Sequence, residues 1–323
     1  MKKLFKIIKL SAIFIGVLLL VGMTIFWQND IPINKLKAKY TNNESKFIEI
    51  DGMNVHYRDE GNSRDSLPIV LIHGTGASLH TWEGWVSELK ITRRVITMDL
   101  PAYGLTGPNP AKDYSMPFYI QFIDKFLSKL AIKKMVIGGN SLGGSIAWNY
   151  TLAYPAKVEK LILVDAGGYP TKPKSVPIIF RLARMPIVNN IFKVILPRSA
   201  VESSVKNVYV DDSKVTDELV DRYFELSLRE GNRQAFLDRM MVFTPKPDEK
   251  SISKFAQIKN IQIPTLILWG AEDGLIPTDV AQKFHEDLPK DTLVIFPNLG
   301  HTPMEEDPTT TVNEVKKFLN RNP

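Results

Sequence analysis

From about residue 47 onward the chain alternates short apolar runs with segments whose apolar residues recur at helical spacing. Residues 47–50 and 53–57 alternate in hydrophobicity around Asp51-Gly52, the pattern of two strands joined by a tight hairpin. Apolar runs at 69–72, 95–98, 135–137 and 161–164 predict buried strands. Between them 82–89, 118–130 and 146–153 predict helices. This order predicts an α/β fold, a mostly parallel sheet with helices on both faces. The rhythm breaks at Gly167. Residues 169–258 are helical in pattern, with Pro170, Pro173, Pro177, Pro186 and Pro197 as punctuation. Strand pattern returns at 265–269 and 292–296, and a helix over 310–319 closes the chain. The expected layout is a core in two parts, 47–168 and 259–323, interrupted by a helical cap or lid at 169–258.

The N-terminus has a different pattern. Lys2, Lys3, Lys6 and Lys9 precede an uncharged run over 10–29, rich in Ile, Leu and Val and passing through Trp27. About twenty such residues span a bilayer as a helix. A cleaved signal peptide shares the basic start and apolar centre, but no small-x-small site follows the run. The expectation is an uncleaved single-pass anchor over 1–30, with the bilayer as partner through 10–29. The leading lysines favour a cytoplasmic N-terminus and an extracytoplasmic catalytic domain, although Lys35, Lys37 and Lys39 pull the other way. Residues 31–46, polar and lysine-rich, are expected as a linker, with no triad residue or sheet strand before Phe47.

Composition changes this picture little. With 323 residues, 44% hydrophobic and 24% charged, the chain has room for one large α/β domain plus an insertion. The net charge of +6 is scattered, without the basic and aromatic interleaving of a nucleic-acid surface, so no nucleic acid is expected as a partner. The absence of cysteine excludes disulfides, thiolate metal sites and a cysteine nucleophile.

The candidate chemistry begins at Gly139-Asn140-Ser141-Leu142-Gly143, a G-x-S-x-G motif between an apolar strand and a helical pattern. A serine there sits on a turn too sharp for neighbouring side chains, at a helix N-terminus where backbone N–H groups meet developing negative charge. An ordinary serine in a glycine-rich turn is the competing interpretation, and the rest of the chain must choose between them. Acyl transfer by serine needs a base, an acid that orients it, and donors for the oxyanion. Of the five histidines, His301 lies on a loop just after the last predicted strand and is the candidate base. His73, also after a strand, is expected to fix its own loop. His56, His80 and His285 fall in a hairpin strand, at a helix start and on a surface helix. Among the acids, Asp273 in Trp269-Gly270-Ala271-Glu272-Asp273 is preferred, with Glu272 turned to solvent. Asp165 is the reserve, and Asp99 is expected to be structural. The order Ser141, Asp273, His301 follows the strand-elbow arrangement. Oxyanion donors are expected from the N–H groups of Leu142 and of Thr75, in the small-residue loop His73-Gly74-Thr75-Gly76.

His73-Gly74-Thr75-Gly76, Asp99-Leu100-Pro101-Ala102-Tyr103-Gly104, the elbow, Trp269 to Asp273 and Gly300-His301 occur in order across the chain. On these motifs the chain resembles the α/β-hydrolase superfamily, in the capped serine branch that includes lipases, esterases and carbon–carbon bond hydrolases. The resemblance runs from about Phe47 to Leu319 and implies an eight-stranded-type sheet. Ala102 stands where many members have glycine, a change expected to stiffen that loop. Ser141 at the elbow separates the chain from members that use aspartate there.

The function expected is a membrane-anchored serine hydrolase acting on a small-molecule ester, apolar or lipid-like, with no cofactor and no metal. The alternatives on the same residues are a carbon–carbon bond hydrolase, a cofactor-free haloperoxidase-like enzyme, and a non-catalytic binding module. In the cap, segments 177–185 and 191–198 mix apolar residues with cations. Packing on the core with solvated cations is one interpretation, and an interfacial lid on anionic lipid is the other.

Overall fold

The protein is described by a computed structural model for residues 5–6, 9–11, 13–14, 16, 27–185, 191–242 and 255–321. Eight strands form one sheet in the order β1-β2-β4-β3-β5-β6-β7-β8. They are β1 (Ser45–Ile50), β2 (Met53–Gly61), β3 (Ile69–Ile72), β4 (Arg94–Met98), β5 (Met135–Asn140), β6 (Val158–Val164), β7 (Thr265–Gly270) and β8 (Asp291–Phe296). The β1–β2 and β2–β4 pairs are antiparallel and every pair from β4 to β8 is parallel. The β1–β2 turn uses Asp51 at φ 50° and Gly52 at φ 79°, the two left-handed residues that a tight primed turn requires.

The described helices are α1 (Ile33–Tyr40), α2 (Glu83–Leu89), α3 (Met116–Lys129), α4 (Leu142–Ala153), α5 (Ile178–Ala183), α6 (Arg198–Lys206), α7 (Asp217–Ser227), α8 (Asn232–Val242), α9 (Thr278–Asp287), α10 (Pro303–Glu306) and α11 (Pro308–Asn320). Strands β3, β5 and β7 are buried along their whole length because helices cover both faces of the sheet, which is why they read as continuous apolar runs. Helix α3 shows how sequence sets an element. The Ser115 hydroxyl accepts the Phe118 N–H at its start, Pro117 fills the first turn, and Tyr119, Phe122, Ile123, Phe126 and Leu127 form its buried stripe.

The described residues between β6 and β7 form α5 to α8 and lie over the C-terminal ends of the strands, where they roof a cavity described below. The stretch 31–46, expected as a linker, is instead packed. It holds α1, with Leu36 and Tyr40 buried, and the start of β1. Leu36 and Tyr40 pack with Leu105 and Leu226, so this polar-looking stretch hides an i, i+4 apolar pair. Residues 27–31 also belong to the fold. The Gln28 N–H donates to Val194 O (2.9 Å), the Gln28 side chain accepts the Leu196 N–H (3.0 Å), and Ile31 N–H donates to Leu228 O (2.7 Å). The expectation of a linker over 31–46 with no strand before Phe47 is therefore corrected. Most of the apolar run 10–29 lies outside the described residues. Among the described residues no helix is long and apolar enough to cross a membrane.

Candidate active site

Ser141 sits between β5 and α4 at φ 54° and ψ −113°, a left-handed conformation costing about 1–3 kcal/mol that tight packing must hold in place. The two motif glycines allow that packing. A Cβ on Gly139 would lie 2.2 Å from Gly143 C, and one on Gly143 would lie 2.0 Å from Ile72 O. A Cβ on Gly144 would meet Ala166 Cβ at 2.5 Å. The elbow is thus pressed between β3 and the residues after β6. Ser141 caps α4, so the first turn of a twelve-residue helix presents its N–H groups beside the hydroxyl.

His301 follows β8 and is buried, as is Asp273 on the loop after β7. Asp273 Oδ2 lies 2.7 Å from His301 Nδ1. Asp273 Oδ1 accepts the N–H groups of Leu275 (2.8 Å) and Ile276 (2.9 Å), which fixes the carboxylate plane. Ser141 and His301 line the same cavity, so the structure brings together the serine, the histidine and the acid chosen from sequence. Nδ1 and Oδ2 are directed at each other, which leaves Nε2 as the free ring nitrogen for work at the cavity.

The loop after β3 lies against the serine. A Cβ on Gly74 would stand 2.8 Å from Asn140 Oδ1 and 3.2 Å from Ser141 Cβ; Thr75 lines the cavity with Ser141, and Leu142 follows the serine in the chain. His73 shapes this loop. Its Nδ1 lies 2.7 Å from Gly74 O and its Nε2 accepts the Leu100 N–H at 2.9 Å, so the neutral Nδ1–H tautomer satisfies both contacts. Burial lowers its pKa and keeps the ring neutral. Asp99 is a structural hub, as expected. Its carboxylate meets His56 Nδ1 (2.8 Å) and the N–H groups of Leu79 (2.8 Å) and Leu105 (2.7 Å). Ala102 differs from the expectation of simple stiffening. It adopts φ 86°, a conformation suited to glycine, so the alanine carries backbone strain at the cavity wall.

Several contributors had no signal in the sequence. The Asn140 side chain donates to His301 O (2.9 Å) and Val164 O (3.2 Å), tying the elbow to the histidine loop. His301 N–H donates to Val208 O in the cap (2.9 Å), and Glu306 accepts the N–H groups of Gly300, Val210 and Asp211, each at 2.9 Å. The cap therefore helps hold the histidine. Asp165, the reserve acid, directly follows β6 near Asp273, with both residues buried. One atom each of Asp165, Asp273 and His301 lie within 4.8 Å of one another. Asp165 makes no hydrogen bond to the histidine among the described residues.

The cavity measures about 110 Å³ and is walled by the loops at the strand ends below and by α5 to α8 above. Its roof is apolar, with Ile179, Phe180, Phe192, Leu196, Val201, Val205 and Phe236. Phe236 packs against Phe180 (5.9 Å between ring centroids) and stacks on Phe192 (5.8 Å). Arg233 is the sole lysine or arginine among the lining residues described. Its Nη2 donates to Asp30 (2.6 Å) and Gln28 O (2.9 Å), while Nε and Nη1 are buried without a partner.

Comparison with known proteins identifies relatives and similar folds. A 2-hydroxy-6-oxo-6-(2'-aminophenyl)hexa-2,4-dienoic acid hydrolase of Metapseudomonas resinovorans is 26% identical over 280 residues, covering 85% of this chain and 91% of that protein. A meta-cleavage product hydrolase from Pseudomonas fluorescens superposes with a TM-score of 0.72 at 25% identity, over 86% of this chain and 99% of that one. A putative lipase from Acinetobacter baumannii superposes with a TM-score of 0.70 at 25% identity, over 90% of this chain and 97% of that one. The family model for the alpha/beta hydrolase fold matches residues 68–194 and 227–308, spanning the elbow, the Asp273 loop and His301, and the chain belongs to the alpha/beta hydrolase family.

Proposed function

We propose that this chain is a membrane-anchored serine hydrolase that cleaves apolar carboxylic esters. The observation that carries the reading is Ser141 on a strained elbow sharing one cavity with His301, whose Nδ1 is held 2.7 Å from a buried carboxylate. In this mechanism His301 Nε2 takes the Ser141 proton as Oγ attacks the ester carbonyl, and Asp273 holds the tautomer and stabilises the imidazolium. The N–H groups of Leu142 and Thr75 receive the oxyanion, and the dipole of α4 assists. The imidazolium then protonates the leaving alcohol, and water activated by the same nitrogen releases the acid. The apolar roof suits an uncharged acyl chain. Anchoring rests on the uncharged run 10–29, which ends where residues 27–31 join the cap.

A second reading is favoured by the relatives' names and by one observation in the cavity. Hydrolysis of a 2-hydroxy-6-oxo-dienoic acid at its 6-oxo carbon breaks a carbon–carbon bond, and Arg233 is the one lysine or arginine among the described lining residues to meet its carboxylate. The comparisons support this reading more than the ester reading. One experiment separates them, namely kcat/KM for a p-nitrophenyl ester series beside that for a 2-hydroxy-6-oxo-dienoic acid. The ester reading expects saturable ester turnover that improves with acyl length, and it fails if only the dienoic acid is turned over.

A further inference from the structure

The site contains a second buried carboxyl that the mechanism above does not use. Asp165 and Asp273 are 0% and 1% exposed, and both lie with His301 in a group spanning 4.8 Å. Two carboxylates this close cannot both stay ionised in a water-poor site. Their hydrogen bonds decide which one holds the proton. Asp273 accepts three bonds, from His301 Nδ1 and from the Leu275 and Ile276 N–H groups, so both its oxygens are committed as acceptors. Asp165 accepts one, from Gly270 N–H to Oδ1 at 2.9 Å, and its Oδ2 receives no donor among the described residues. A buried oxygen without a donor is where a proton is least costly. Asp165 is also held at φ 42°, an uncommon conformation for aspartate that fixes where its side chain emerges.

We propose that Asp165 is a positioning residue, a neutral carboxylic acid whose Oδ2 proton points at the Asp273 carboxylate and braces it against His301. Besides Asp273 and His301, Glu306 of α10 faces it among the described residues, and its carboxylate is already taken by the Gly300, Val210 and Asp211 N–H groups. Burial first, and the Asp273 charge second, raise the Asp165 pKa well above the ordinary carboxyl range, in line with the geometry. The inference rests on the Ser141–His301–Asp273 reading, but not on whether the substrate is an ester or a dienoic acid.

The test pairs activity with a readout that needs no substrate. Asp165→Leu removes the donor and should lower kcat at least tenfold. Asp165→Asn restores an acceptor for Gly270 N–H and a donor for Asp273, and should recover most of the loss. The sign for stability follows from linkage. The unfolded side chain ionises near pH 4 while the folded one stays protonated, so Asp165 costs the wild type increasing stability as pH rises above that value. The melting temperature of Asp165→Asn should therefore exceed that of the wild type by a margin that widens between pH 5 and 8. Asp165→Asn as inactive as Asp165→Leu, or a margin that stays flat with pH, would overturn the proposal. If the stability margin widens while every variant and the wild type are inactive, the catalytic reading fails and the protonation of Asp165 stands.

Discussion

Asp273→Asn separates an orienting charge from a merely structural contact. Leu275 and Ile276 both direct N–H groups at Oδ1 of Asp273, at 2.8 and 2.9 Å. In the asparagine variant these two donors select the amide oxygen, because turning the NH2 toward them would leave donors facing donors at about 1–3 kcal/mol for each unsatisfied group. The NH2 must then occupy the old Oδ2 position, 2.7 Å from His301 Nδ1. Nδ1 becomes an acceptor and the ring proton moves to Nε2, the atom that has to accept the Ser141 proton. The base is present but in the wrong tautomer. A change of this kind costs on the order of 10⁴ in kcat, which is about 5 kcal/mol of barrier. Stability should change little, since every hydrogen bond at the position is still made. The assay is the pre-steady-state burst with a p-nitrophenyl ester on protein whose melting curve matches the wild type. A loss under tenfold would refute the reasoning, as would Asp165→Asn proving the more damaging of the two.

Other outcomes follow from the same structure. Asp99→Ala strands His56, the Leu79 N–H and the Leu105 N–H in the core, and should lower stability by about 3–5 kcal/mol in urea titration. Burial alone would push the Asp99 carboxyl up, but the charge and hydrogen bond of His56 outweigh it and hold the carboxyl below the ordinary range. Its contribution is therefore present above about pH 4 and lost as pH falls below that, so wild-type melting should drop in acid and Asp99→Ala should show less of that drop. Phe236→Ala opens the roof between Phe180 and Phe192, costing about 3 kcal/mol and shifting turnover toward longer acyl chains in an ester-length series. Removing residues 1–26 should release the protein from alkaline-washed membranes with ester turnover kept. A cut after Asp30 should also cost stability, because it severs the Gln28 and Asp30 contacts to Val194, Leu196 and Arg233.

The core of the fold was legible because strands such as β3 and β7 are unbroken apolar runs and helices such as α3 carry a 3.6-residue stripe. The clustering of Ser141, Asp273 and His301 was legible because they follow β5, β7 and β8 at the same edge of the sheet, a placement that order along the chain reveals. The stretch 31–46 was not, since its polar composition concealed Leu36 and Tyr40, which find their partner Leu226 far away in the cap. Asn140 to His301, Val208 to His301 and Glu306 to Val210 are contacts between residues far apart in sequence, and no local pattern announces them. Ala102 was noticed as a departure, but its cost became visible only as a positive φ. Between two acids at strand ends, sequence gave a preference, and the hydrogen bonds to His301 and to Leu275 and Ile276 supply the physical reason for it.

The central claim is that Ser141 Oγ is a nucleophile activated by His301, and covalent trapping addresses it most directly. Wild-type protein treated with a fluorophosphonate and digested for mass spectrometry should carry a single phosphonate on the peptide containing Ser141. Ser141→Ala should remain unlabelled with an unchanged melting curve. An unmodified Ser141 in folded wild-type protein, or full labelling of the alanine variant, would contradict it.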